Sequence, residues 1–204
     1  LAEERSTPRF SSLDAGPGGL LLLGDSAAGR LLAVDPRTGT VAWSLGRQGR
    51  GEERFQSISG AAYSPDGERL YVLDRANEPV VQVFDARSRR FEFGWGAHTW
   101  DRQDFSTPVD LVVAPSGLVL IADTLRQVVK VFDSEGAFVF QFGGLGTAPG
   151  AMAYPVSVAV DAEHMVFVAE KVGKRVQKFE IFREVRGKIP AGAPQGVARS
   201  LRGP

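Results

Sequence analysis

Cysteine is missing from all 204 residues, which removes disulfides, thiol nucleophiles, covalently attached haem and cysteine-ligated metals in one step. Charge of one sign is lacking too. The 24 basic and 24 acidic residues cancel, so the field of the whole molecule gives no reason to expect nucleic acid or an anionic membrane as the main partner, and any charged site has to be local. Long apolar runs are absent: Leu20 to Leu23 is followed at once by Gly24 and Asp25, far short of a membrane span. No stretch carries a helical period, and no G-x-S-x-G nucleophile elbow occurs. The chain begins at Leu1 rather than Met, which fits removal of an export signal and sets the expectation of a periplasmic or extracellular compartment, with a cytoplasmic one left open.

What the chain has in quantity is repetition. "LLLLGDSAAGRLLAVD", "RLYVLDRANEPVVQVFD", "LVLIADTLRQVVKVFD" and "HMVFVAEKVGKRVQKFE" are one pattern written four times: apolar strand, acidic residue, polar turn, second strand. The acids that end the first strand of each phrase are Asp25, Asp74, Asp123 and Glu170, spaced 49, 49 and 47 residues apart. A second acidic series, Asp35, Asp85, Asp133 and Glu180, lies ten or eleven residues further on, and glycines Gly46, Gly94 and Gly143 keep nearly the same step.

Within a unit, alternation and turn residues give four short strands. In the third unit these are 109–114, 118–122, 127–132 and 137–142, with "PSG" and "DSEG" as turns and Gly136 free to take positive φ. The second unit repeats them at 58–63, 69–73, 80–84 and 90–93. A four-stranded antiparallel unit of this size cannot bury both faces alone and has to stack on neighbours, which predicts an all-β fold, a β-propeller of about four blades.

These residues resemble the NHL-repeat family. The likeness rests on the acid and the aromatic nine residues later in "DTLRQVVKVF", on "DSEG" and "FQFG", and on the linkers "GRQGRGEERF", "GWGAHTWDRQDF" and "GGLGTAPGAM". The proline-led strands "TPVDLVV" and "YPVSVAV" belong to it as well. It covers about residues 10–182, in units of about 10–55, 56–105, 106–153 and 154–182, flanked by an N-terminal arm at 1–9 and an irregular tail at 183–204 rich in Gly, Pro and Arg. Unit one has Val34 where Phe84, Phe132 and Phe179 stand. Since NHL propellers usually have six blades, the resemblance leaves open a closed four-bladed ring, an arc completed by copies or by a partner, or a piece of a longer protein. Unit four lacks the turn and glycine that begin the outer strand elsewhere, so an unpaired edge is expected, of the kind that invites strand addition by another chain.

In an antiparallel meander, the turns after strand two and the linkers after strand four leave at the same end. That end gathers arginines and aromatics, the usual anchors of protein interfaces, most densely in "WGAHTW". The expected partner-binding residues are Trp95, His98, Trp100, Arg75, Arg126 and Arg175; the alternative for the two tryptophans is a wedge between blades. The periodic acids Asp25, Asp74, Asp123 and Glu170 are expected to cap turns by accepting backbone N–H bonds rather than to hold a metal.

His98 and His164 are the only histidines and fall at different points of their repeats, so a shared metal site is not expected, and neither is any cofactor. "GGLGTAPG" lacks the lysine and helix start of a phosphate loop. The leading expectation is a non-enzymatic, protein-binding propeller, an accessory or scaffold subunit of a larger bacterial complex, with the open blade edge and the tail as possible contacts. A metal-dependent lyase or gluconolactonase-like hydrolase competes with it. A third alternative, an RNA-binding domain, is disfavoured because acids interrupt the arginines.

Overall fold

The computed structural model describes residues 7–181 and the backbone of 198–201. Apolar strands of five or six residues, separated by Gly, Asp and Pro turns, produce four antiparallel meanders, each in sequential strand order. Blade one is β1 (Phe10–Ala15), β2 (Leu21–Asp25), β3 (Arg30–Asp35) and β4 (Thr40–Leu45). A short parallel pair, β5 (Arg47–Gln48) and β6 (Arg54–Phe55), lies in the linker to blade two, which is β7 (Ile58–Tyr63), β8 (Arg69–Asp74), β9 (Val81–Asp85) and β10 (Phe91–Trp95). Blade three is β11 (Pro108–Val113), β12 (Val119–Asp123), β13 (Val128–Phe132) and β14 (Phe138–Gly143). Blade four is β15 (Pro155–Val160), β16 (Met165–Glu170), β17 (Arg175–Ile181) and β18 (Ala198–Leu201). The fold is a β-propeller of four-stranded blades.

The blades group as two units, residues 1–108 and 109–204. Burial explains why blades come in neighbours. Every residue of β12 and β13 is buried, as happens to a strand covered on both faces. In the first unit, Leu22, Leu31 and Ala33 of blade one close on Ile58, Leu70, Val72 and Phe84 of blade two. In the second, Leu120, Val129, Val131 and Phe142 of blade three meet Val158, Val166, Val168 and Phe179 of blade four, with the Phe142 and Phe179 rings 4.9 Å apart.

A plug from the linker completes each core: Phe55 in the first unit, Met152 in the second, both fully buried. Each sits against a glycine nine residues earlier. A Cβ on Gly46 would lie 2.3 Å from the Phe55 ring and one on Gly143 2.8 Å from Met152 Sδ, and both glycines have positive φ, 87° and 103°. The blade-two member of this series is Gly96, whose Cβ would lie 2.5 Å from the Phe105 ring, again nine residues on. Gly94, which keeps the sequence spacing of Gly46 and Gly143, lies in β10 and packs on Pro79, and the plug glycine of blade two is Gly96, two residues further on.

Two expectations about the termini also change. Ala198–Leu201, inside the tail expected to be irregular, pairs antiparallel with β17 from Ile181↔Ala198 to Lys178↔Leu201. The outer strand expected to be missing from blade four is therefore supplied by the chain itself, from beyond a long connection. At the other end Arg9 is no free arm residue: its N–H donates to Asp25 Oδ1 at 3.1 Å and its carbonyl accepts from Ser26 N–H at 3.0 Å.

Candidate functional site

The acids that close strand two sit at the hinge between a blade and the segment leading into it. Asp74, fully buried, accepts the N–H groups of Gln56 (2.5 Å) and Ser57 (2.9 Å) from the linker and of Ala76 (3.0 Å) from its own turn. The next residue, Arg75, returns a bond from its N–H to the Ser57 carbonyl at 3.2 Å. Asp25 does the same with Arg9, Ala27 and Ala28, and Ser26 N–H returns to Arg9. Glu170 Oε2 accepts from Ala153 N–H at 2.7 Å, and Lys171 N–H returns to the Tyr154 carbonyl at 2.8 Å. Asp123 lies 3.7 Å from Arg126 Nε. Asp25 and Asp74 thus staple the preceding segment as well as cap their own turns, and Glu170 staples its linker; a buried anion held by two or three N–H donors is satisfied without a metal.

A second latch was invisible to the reading of strands and turns. Asn77 Nδ2 donates to the carbonyls of Gly51 (3.1 Å) and Arg54 (2.7 Å), and Gln82 Nε2 to the same two at 3.2 and 3.0 Å, while Gln82 Oε1 accepts from Glu53 N–H at 2.7 Å. In blade four Gln177 Nε2 donates to the Ala151 carbonyl (2.7 Å) and its Oε1 accepts from Gly150 N–H (3.0 Å). Gln82 and Gln177 occupy one repeat position, three residues before Asp85 and Glu180, where a polar side chain interrupts an apolar third strand. That interruption is the signal. Lys130 takes the equivalent place in blade three, buried, with Nζ 3.4 Å from Gln141 Oε1.

The expected binding residues separate into two sorts. Trp95, at the end of β10, is half-buried: it stacks on Phe93 at 6.1 Å and meets Tyr71 edge-on at 6.1 Å. Arg175 is engaged with its own chain, Nε on Glu170 Oε1 at 2.8 Å, Nη1 on the Thr147 carbonyl and Nη2 on those of Ala148 and Ala151. Arg126 leans on Asp123. Arg75 is exposed, with Nε donating to Ser57 Oγ at 2.9 Å. His98 is exposed and its N–H donates to Glu78 Oε1 at 2.9 Å.

Trp100 is 98% exposed. It stands at the tip of a loop closed at its base by Phe105 N–H donating to the Ala97 carbonyl (2.9 Å). Asp104 ties the loop together, accepting from Ala97 N–H (3.2 Å) and Thr99 Oγ1 (2.5 Å). The two tryptophans of "WGAHTW" therefore have different fates, one packed within its blade and one presented to solvent.

In the second unit the comparable end of the blades carries further exposed apolar side chains that strand patterning did not single out: Leu125, Leu145, Tyr154 and Val172. His164 lies in the β15–β16 turn with φ 65°, its N–H donating to the Asp161 carbonyl. Among the described residues no three of His, Asp and Glu gather in a way that could hold a metal, and no helix is long and apolar enough to cross a membrane.

Known proteins share this arrangement in part. Human E3 ubiquitin-protein ligase NHLRC1 is 30% identical over 94 residues, 46% of this chain and 22% of that protein. Protein brain tumor of Drosophila melanogaster is 30% identical over 87 residues, 37% of this chain and 8% of that protein. The chain thus spans less than a quarter of the length of these curated relatives, and the NHL-repeat resemblance holds. Hydrazine synthase of Kuenenia stuttgartiensis superposes with a TM-score of 0.62 over 98% of this chain and 51% of that one, at 16% identity, which is a likeness of fold. Residues 3–142, more than half of the sequence, match the family described as Outer membrane protein assembly factor BamB, and the chain belongs to that β-propeller family.

Proposed function

We propose that the chain is a non-enzymatic propeller that binds another protein, as an accessory or scaffold subunit of a larger, exported bacterial complex. One observation carries this: an almost fully exposed tryptophan, Trp100, on a loop whose own hydrogen bonds fix it in place. Tryptophan is the side chain most enriched among interface anchors, and a loop ordered in advance has less conformational entropy to lose on binding. His98 and Arg75 flank the anchor in this reading. Trp95, Arg126 and Arg175 shape the surface, since their contacts are with their own chain.

A photoreactive amino acid placed at position 100 of the intact chain, in cells of its source, tests the proposal. The expected result is a covalent adduct with one discrete protein, together with a native mass above that of the monomer. A monomeric native mass with no adduct would overturn it.

A further inference from the structure

Charge is distributed along the strands of the second unit. The β12–β13 turn (124–127), the β14–β15 linker (144–154) and the β16–β17 turn (171–174) contain Arg126, Lys171 and Lys174 and not one acidic residue. The acids nearest to them, Asp123 and Glu170, are buried and face Arg126 and Arg175. Lys171 and Lys174 are exposed, and neither meets a carboxylate among the described residues. At the other end of the same blades, the β13–β14 and β15–β16 turns carry Asp133, Glu135, Asp161 and Glu163 and no lysine or arginine.

The cationic end is also apolar. Leu145 is 82% exposed, Val172 60% and Leu125 54%, with Tyr154 beside them. Isolated exposed leucines are ordinary, but several on adjoining segments form a patch that marks an interaction site. The backbone beneath is fixed. Gly144 N–H donates to the Gln127 carbonyl (2.8 Å), Met152 N–H to Gly144 (2.7 Å) and Gly146 N–H to Met152 (3.1 Å), so Leu145 stands between two anchored glycines. Gln127 Oε1 accepts from Tyr154 N–H (2.6 Å), and Gly173 N–H donates to the Ala153 carbonyl (3.0 Å), tying all three segments together.

We propose that this end of the second unit receives an acidic segment of a partner protein that carries apolar side chains, its carboxylates meeting Lys171 and Lys174 and its apolar groups covering Leu125, Leu145, Tyr154 and Val172. The proposal rests on the protein-binding reading above and names the chemistry of the partner. Charge complementarity of this sort sets specificity and association rate, while the apolar contact supplies affinity. A membrane surface fits less well, because recruitment to anionic lipid uses clusters of roughly four to eight cations. Nucleic acid fits less well too, since within these three segments Tyr154 is the one aromatic that could stack a base.

The probes are synthetic twelve-residue peptides on the intact chain, read by fluorescence anisotropy: one mixing Glu and Asp with Leu and Phe, one with the acids replaced by Lys, and one with the apolar residues replaced by Ser. The first peptide is expected to bind at least tenfold more tightly than either control and to weaken as salt rises. Lys171→Glu with Lys174→Glu, and separately Leu145→Ser, are each expected to weaken it about tenfold while leaving the melting temperature in place, since all three side chains are exposed. Equal binding of acidic and basic peptides, or binding untouched by these substitutions, would overturn the proposal. So would preferential uptake by phosphatidylserine vesicles, or head-to-tail self-association of the chain that the double charge reversal abolishes. If position 100 still captures a protein while the peptides show no charge preference, the partner chemistry is wrong and the protein-binding reading stands.

Discussion

Asp74 holds Ser57 where the chain enters blade two: the Ser57 N–H donates to Asp74 Oδ1 at 2.9 Å, and the Ser57 carbonyl accepts from the N–H of the next residue, Arg75, at 3.2 Å. Asp25 with Arg9, and Glu170 and Lys171 with Ala153 and Tyr154, reproduce the clasp, so these acids fix where the innermost strands of blades one, two and four begin. Asp74→Ala strands the N–H groups of Gln56, Ser57 and Ala76 in a buried setting and is expected to cost about 2–4 kcal/mol. Asp74→Asn keeps the shape and one carbonyl acceptor and is expected to cost less. Urea unfolding with an unchanged m-value measures both; equal midpoints for the alanine variant and the parent would refute the clasp.

The plug and its glycine form a second coupled pair. Phe55→Ala opens a cavity in the core of the first unit and is expected to cost about 3–5 kcal/mol. Gly46→Ala drives a methyl group into the Phe55 ring at a backbone angle of 87°, and is expected to cost about 1–3 kcal/mol. Once the ring is gone the steric part of the glycine penalty disappears. The double variant is therefore expected to be more stable than the sum of the two losses by about 1 kcal/mol, a coupling that a double-mutant cycle reads directly.

The repeat was plain in the sequence because its acids, turns and strand alternation are local. The four-stranded meanders of blades two and three, with β7 at 58–63, follow from those signals alone. Relations that pass through space between segments left weaker traces. Gly96 was hidden behind Gly94, two residues away and better aligned in spacing, because its role depends on Phe105 returning onto it. Gln82 and Gln177 looked like breaks in an apolar strand, though they hold the linker before their own blade. Strand β18 could not be foreseen from pattern: four residues, "ARSL", owe their extended form to the open edge of β17. At the surface, "WGAHTW" revealed where aromatics cluster, but the packing of Trp95 and the exposure of Trp100 are decided by Tyr71, Phe93 and Asp104.

Asp110 gives the second unit a pH signature. Burial pushes its carboxyl above the ordinary 3.8, against the downward pull of hydrogen bonds from Ser157 Oγ, Val158 N–H and Leu111 N–H. The folded chain therefore holds this proton more tightly than the unfolded one. Its share of stability is complete below the unfolded value, and is lost as pH rises through the folded value. Asp35, Asp66 and Asp85, held below 3.8 first by bonds from Arg37, Ser64 and Ser88, act in the opposite sense, losing their share as pH falls. Asp110→Asn leaves those three in place and keeps an acceptor for Val158 N–H. The variant is expected to gain on the parent as pH rises from about 4 towards neutrality; a stability difference that is flat with pH, or that grows towards acid, would contradict it.

Blade four depends on a strand that arrives late in the chain. Four β17 residues, Lys178 to Ile181, have their outer backbone partners in β18, and Phe179 among them belongs to the core of the second unit. Ending the chain at residue 197 removes those partners and leaves an open strand edge, which water can satisfy but which another chain can also pair with. The expected loss is about 2–4 kcal/mol, from two to four net hydrogen bonds. Faster amide exchange across 178–181 is expected with it, while β8 and β9, in the other unit, keep their protection. Light scattering should then show self-association that grows with concentration. A shortened chain that stays monomeric, with the parent's urea midpoint and unchanged exchange at 178–181, would mean that β18 contributes no stability to the fourth blade.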